Sequence, residues 1–276
     1  MPSRMWRSTE RWLGIALVCL LGAVMVLPFL YMVSSSLMDE FDVLRAPGAV
    51  VPLHPRLDNY RAVLDALPFA RFYINSGIVA LAVVVGQVTT SAMAAYAFAR
   101  LRFPGRDRVW LGYLVILTIP MIVVLIPRFL IINGLGWVDT YQGLIATELV
   151  SVWGIFLLRQ FFLAIPREIE DAARLDGAGE WRIFWRIVLP QARPALVTLA
   201  VFAFVDQWKS FLWPLVATRS LQMQVVEVGL ATLHGLYAAN WPYQMAAAVM
   251  ATLPALLACV VAQRYFLRGM RLQGLK

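Results

Sequence analysis

At 276 residues, with 61% hydrophobic residues, only 14% charged and a mean hydropathy of +0.72, the chain is too apolar for a soluble domain of its size. The net charge of +8 needs no nucleic acid to explain it, because loops facing anionic lipid collect Lys and Arg. Cys19 and Cys259 lie in apolar runs without a CxxC and read as small core residues. His54 and His234 fall far apart in predicted loops, and no HExxH, GxSxG or zinc spacing is present, so neither a metal nor a catalytic group is expected.

Taken in order, the chain begins with Arg4, Arg7 and Arg11, then runs free of charge from Trp12 to Met38. A secretory signal has an apolar core of roughly 7–15 residues and a small-residue cleavage site; neither is evident, so a retained first helix is expected. Apolar stretches near 13–35, 73–98, 109–129, 142–163, 195–217 and 244–266 each approach the about 20 residues that cross a bilayer. The expectation is one all-α membrane domain over 1–276 with six transmembrane helices. Glu148, read as interfacial, and Arg159 flank the fourth span.

Counting Lys and Arg on alternate sides gives seventeen against six, which places both termini in the cytoplasm. The loop over 37–72, with four prolines, is then extracytoplasmic: a docking surface for a partner, or a segment folded over the helices.

The longest cytoplasmic loop, 164–194, is expected to hold two short helices. Pro166 suits a helix start, Glu168 and Glu170 sit by the positive end of the dipole, and Gly177 can close the helix. Ile169, Ala172 and Ala173 share a face, and Glu170 pairs with Arg174 at i,i+4. Residues 167–176 carry a net charge of minus two beside an anionic membrane surface, which points to a basic protein surface as their neighbour. The second helix, about Glu180 to Leu189, carries a stripe of Trp181, Phe184, Trp185 and Val188, with Arg182 and Arg186 placed for lipid headgroups; Pro190 is expected to end it. A helix lying on the inner leaflet accounts for that stripe as well as any docking role does.

The segment "EDAARLDGAGEWRIFWRIVLP" resembles the EAA motif of permease subunits of bacterial ABC importers. "LDNYRAVL", "INSGIVALAVV", "AAYAFARLRFPGR", "IPRFLIINGLGWVDTYQGLI", "FLWPL" and "AQRYFLRGMRLQGLK" are similar to the MalG-like branch of carbohydrate importers, over nearly the whole chain from about residue 57. The resemblance implies a type I ABC importer permease with a cytoplasmic coupling helix. It implies as partners a second permease subunit, two ATP-binding subunits and an extracytoplasmic solute-binding protein. Asp171, Ala172, Ala173, Asp176 and Gly177, with Glu170 beside them, would form the coupling helix; Ile187, Leu189 and Pro190 would brace it; Gln273 and Gly274 would reach the ATPase pair. Asp171 stands where the family usually has Glu, and Lys209 where it commonly has Asn after Trp.

The two lysines, Lys209 and Lys276, lie outside any Gly-Lys-Ser/Thr loop, so ATP and Mg are expected on partner subunits and this chain is expected not to be an enzyme. Asp206 and Lys209 fall near the middle of the fifth span, where a lone charge costs about 2.5–3.5 kcal/mol. They form a structural ion pair with each other, or they line the path of a sugar. Trp208 and Trp213 are either path aromatics or ordinary packing. The substrates implied are oligosaccharides, disaccharides, glycosyl-glycerols or glycerol phosphates. An ATP-independent transporter or channel is the alternative, but it would show inverted repeats with matched broken helices and leaves the acidic helix unexplained. An intramembrane enzyme would need a reactive constellation that Asp206 alone does not supply.

Overall fold

The computed structural model describes residues 3–45, 48, 51–52, 54–237 and 240–273, with side chains described between 12 and 263 apart from position 44 and the gaps. Among the described residues every regular element is a helix. In chain order they are α1 (Ser3–Ser36), α2 (Glu40–Arg45), α3 (Asp58–Ala66), α4 (Phe69–Arg100), α5 (Arg106–Ile116), α6 (Met121–Gly134), α7 (Tyr141–Ile145) and α8 (Val152–Ala164). There follow α9 (Arg167–Leu175), α10 (Glu180–Ile183), α11 (Leu189–Gln191), α12 (Arg193–Trp208), α13 (Leu212–Ala217), α14 (Val226–Leu236) and α15 (Trp241–Gln273). The chain divides into two compact units, one of residues up to Leu67 with Leu230–Thr252, the other of Pro68–Gly229 with residues from Leu253 on.

In the first unit, α1 carries an uncharged stretch, Trp12–Ser36, of 25 residues, long enough to span a bilayer. Its last turn is pinned by polar contacts. The Asn59 amide donates to the Ser36 and Met38 carbonyls at 2.8 Å each, the Ser36 and Tyr60 hydroxyls lie 2.7 Å apart, and Arg56 pairs with Asp39 at 2.9 Å. Arg56 and the start of α3, through Asn59 and Tyr60, therefore fold onto the end of α1. His234 is helical, not in a loop, with Nδ1 2.9 Å from Gln244 Oε1. Cys19 is exposed rather than a core residue, and so is Cys259 in the other unit; in a membrane helix small apolar side chains lose nothing by facing lipid.

The second unit is organised by α4, which packs along α8 and α12. Ala92, Ala95 and Ala99 on α4 let these helices approach, and Leu158, Phe162 and Leu199 fill the seam. Gly154 permits a close crossing: a Cβ there would lie 2.8 Å from both Ser91 Oγ and Leu199 Cδ1. With little hydrophobic drive between helices in lipid, such small-residue contacts supply the dispersion that holds them.

Three of the expected spans are broken. α5 and α6 meet at 100° because Pro120 has no N–H to continue the ladder and disfavours helix at Ile119; the last bonds of α5 tighten to i→i−3. The fourth span bends by 40° at Leu149–Ser151, where Ser151 Oγ caps α8 by accepting from the Gly154 N–H at 3.0 Å. The fifth stops at Trp208, leaving Lys209 at its C-cap, and α13 follows as a separate helix. Pro190 does not end the second loop helix. The chain passes through a π turn, Phe184–Val188, and runs on to Gln191; the 77° bend comes at Ala192, ahead of the new start at Arg193-Pro194.

Candidate functional site

The acidic segment forms α9, opened after Pro166 with Glu168 and Glu170 in its first turn and closed by Gly177 at φ 80°. There the Gly177 and Ala178 N–H groups donate to the Arg174 and Ala173 carbonyls at 3.0 and 2.9 Å. Glu170 points inward. Its Oε1 lies 2.7 Å from Nε of Arg100 in the last turn of α4, with the two side chains 1% and 2% exposed. Arg100 also donates to the Ile165 carbonyl at 2.7 Å, so one guanidinium holds both the start of α9 and the chain leading into it. Burial pushes the Glu170 carboxyl upward, against the pull of Arg100 and Arg174.

Arg174 gathers the remaining acids: Asp171 at 2.8 Å, Glu180 at 2.9 Å and the far oxygen of Glu170 at 3.5 Å. Glu180 accepts a further bond from the Tyr96 hydroxyl at 2.7 Å. The hydrogen bond to Glu180 holds the Arg174 guanidinium above its usual range, so it stays charged. This corrects for Glu170 the expectation that a partner's basic surface satisfies the acids of 167–176: Glu170 is buried on the chain's own arginines and Asp171 is paired with Arg174, while Glu168 and Asp176 stay exposed. Outward, α9 and its closing turn present Ile169, Ala172, Gly177 and above all Leu175 at 91% exposed, beside the exposed charges Arg167, Glu168, Asp171 and Asp176. Ala173 packs inward.

The aromatic stripe behind α9 splits in two. Phe184 and Val188 are buried against Tyr96 and its neighbours, with the Tyr96 and Phe184 rings 5.1 Å apart, so they do not rest on a leaflet. Trp181 and Trp185 remain exposed, edge to face at 5.9 Å. Ile187 and Leu189 are half-buried against the same core and Pro190 is exposed. Gly274 and the side chain of Gln273 lie outside the described residues.

The fifth-span residues come together around a cavity of about 540 Å³, lined by Glu148, Asp206, Gln207, Lys209, Ser210 and Trp213 among others. Among the described residues no ion pair joins Asp206 to Lys209, which corrects the structural-pair expectation: the helix ends between them, and both are exposed. Trp208 is buried, stacked on Phe204 with ring centroids 5.7 Å apart. Trp213 is also buried; its indole donates to the Leu144 carbonyl at 3.3 Å and Arg128 lies 4.1 Å over its ring.

Sequence reasoning missed Arg128, which is ion-paired with Glu148, while Gln207 Nε2 reaches the other Glu148 oxygen at 3.3 Å. Glu148 is thus a cavity-wall residue and not a free interfacial one. The signal was available: ionisable residues in apolar stretches come in pairs, and one Arg and one Glu stood in neighbouring spans. Arg100 was counted only as a loop charge.

A helical membrane protein whose bundle is clamped to a short exposed helix, beside a polar cavity against a broken span, has the anatomy of a transport permease. Residues 87–272 match the family described as binding-protein-dependent transport system inner membrane component, and the chain belongs to that family. It is 33% identical over 264 residues to the sn-glycerol-3-phosphate transport system permease protein UgpE of Brucella abortus (strain 2308), covering 92% of this chain and 94% of that one. It is 32% identical over 278 residues to the arabinooligosaccharides transport system permease protein AraQ of Halalkalibacterium halodurans, covering 100% and 98%. A solved bacterial ABC transporter involved in import of the acidic polysaccharide alginate superposes with a TM-score of 0.81 at 26% identity, over 96% of this chain and 99% of that one.

Proposed function

We propose that this chain is the permease subunit of an ATP-driven importer of a sugar or sugar derivative, in which α9 is the coupling helix. It pairs with a second permease subunit, two ATP-binding subunits that hold ATP and Mg, and an extracytoplasmic solute-binding protein. Both termini and α9 face the cytoplasm. The chain itself catalyses no reaction; closure of the ATPase pair moves α9, and the bundle alternates its access.

The observation that carries this reading is the split character of α9: Glu170 locks one side to Arg100 of α4, and the other side leaves Ala172, Leu175 and Gly177 exposed between the charges Glu168, Asp171 and Asp176. A helix rigid on one face and unpartnered on the other suits transmission of a push from a docked subunit. The named relatives handle glycerol phosphate, arabinooligosaccharides and alginate, which share hydroxyl-rich carbon skeletons. The cavity at Asp206, Gln207 and Lys209 supports passage of such a solute, with Trp213 in its wall.

The test is co-purification of the tagged chain with its neighbours in mild detergent, wild type beside Ala172→Arg and Leu175→Asp. Wild type is expected to bring down an ATP-binding subunit and a second permease, and each substitution to release the ATPase while the permease pair persists. Retention of the ATPase by both variants would remove α9 as the coupling element. Purification of the wild-type chain alone, with transport that ignores ATP, would favour a secondary transporter.

A further inference from the structure

The turn between α4 and α5 and the start of α9 enclose a second cavity, of about 690 Å³, lined by Arg102, Arg106, Arg108 and Arg167 with Asp107 as its one carboxylate. Asp107 is taken by Arg106, 2.9 Å from its Nε. Among the described residues Arg102, Arg108 and Arg167 have no carboxylate within ion-pair distance. Two helix N-termini open at the same place: α5 at Arg106, 11 residues long, and α9 at Arg167, 9 residues long, neither with a side-chain cap. Their first turns add partial positive charge to a wall already carrying three guanidiniums without an ion-pair partner.

We infer that this cavity binds the phosphate headgroup of an anionic phospholipid. Guanidinium forks match a phosphate's paired oxygens, and helix N-termini are ready anion sites. The apolar surface beside the charges selects a lipid over a free anion: Phe103, Val109 and Leu111 are exposed on the same turns, where α5 begins an apolar segment, and would lie along acyl chains. The site also adjoins the clamp of α9, because Arg102 and Arg167 line the neighbouring cavity with Arg100, Glu170 and Arg174. A bound headgroup neutralises Arg167 at the first residue of α9 and steadies the end of the helix nearest the membrane. The inference requires only membrane embedding, and stands whether or not α9 couples to an ATPase.

The experiment is native mass spectrometry of the full chain, purified with its accompanying subunits, during titration with phosphatidylglycerol and, as neutral control, phosphatidylcholine. Wild type is compared with Arg102→Gln/Arg108→Gln and with Arg61→Gln, an exposed arginine on α3 outside the cavity. Phosphatidylglycerol is expected to bind the double variant about tenfold or more weakly, since two of the cations facing the headgroup are lost. Phosphatidylcholine adducts and the Arg61→Gln variant are expected to match wild type. Equal phosphatidylglycerol binding by wild type and double variant overturns the inference, and so does displacement of the lipid by excess inorganic phosphate, which would make the ligand a soluble anion. Should the double variant aggregate, Arg102→Gln and Arg108→Gln singly carry the same comparison, each expected to weaken binding severalfold.

Discussion

Arg100 at the end of α4 and Glu170 in the first turn of α9 form an ion pair of 2.7 Å sealed from solvent, although 70 residues separate them in sequence. Removing one partner leaves an uncompensated buried charge, so Glu170→Ala or Arg100→Ala is expected to destabilise the chain by about 3–5 kcal/mol. The double substitution Arg100→Met/Glu170→Met should recover much of that loss, because two apolar groups need no partner. Thermal unfolding in detergent measures both; a Glu170→Ala variant as stable as wild type would contradict the clamp.

Arg174 is 37% exposed and serves Asp171 and Glu180 at 2.8 and 2.9 Å through a planar fork. Lys has a single ammonium and cannot reproduce that geometry. Arg174→Lys is therefore expected to cost about 0.5–1 kcal/mol at low salt, and less as salt screens the pair. Melting curves at two ionic strengths check the trend; a cost that grows with salt would rule out an electrostatic origin.

Asp139, at φ 63°, accepts from the Arg219 and Ser220 N–H groups at 2.9 and 3.0 Å. Burial works against its charge, but those N–H bonds hold the carboxyl below the usual range. A carboxyl with a lowered folded value contributes stability above its unfolded value of about 3.9, lost as pH falls through the folded value. Asp139→Asn keeps an acceptor and tolerates the left-handed backbone, so it should flatten acid sensitivity at a cost of about 1 kcal/mol at neutral pH. Asp139→Val loses the acceptor and adds strain, and should cost more. Melting of the three proteins from neutral pH down to about pH 3 distinguishes them.

Gly154 lets α8 lie against α4 and α12, and a side chain there meets Ser91 and Leu199 at 2.8 Å. Gly154→Ala is expected to cost about 1–3 kcal/mol through overpacking, and Gly154→Leu to abolish the folded chain in detergent. A second substitution, Leu199→Ala, should rescue part of the Gly154→Ala loss. Monodisperse elution and melting temperature report both.

The apolar stretches and the acidic segment were legible in the sequence because each is a local property. Transfer of a run such as Trp12–Ser36 into lipid depends on its own side chains, and the closure of α9 at Gly177 depends on backbone freedom at one residue. The placing of Asp171, Ala172 and Ala173 on one short helix that Gly177 closes followed from the same local rule. Where the spans break was half legible: Pro120 marks one break plainly. Pro190 misled, because a π turn ahead of it moves the bend to Ala192.

Which charges meet was decided by tertiary structure alone. Arg100 finds Glu170, Tyr96 finds Glu180 and Arg128 finds Glu148 because helix packing carries residues 20 to 84 positions apart into contact. Nothing in the local sequence of Arg100, Glu170 or Glu180 distinguishes them from solvated charges, whereas Arg128 and Glu148 stand out only by lying in apolar stretches. The same packing leaves Asp206 and Lys209, three residues apart, without an ion pair, because α12 ends before the regular i,i+3 geometry is complete. The sequence thus determined which segments enter the membrane and which short helix stays outside it. Packing determined which face of that helix is locked and which stays exposed, since burial of a charge is settled by the neighbours that surround it.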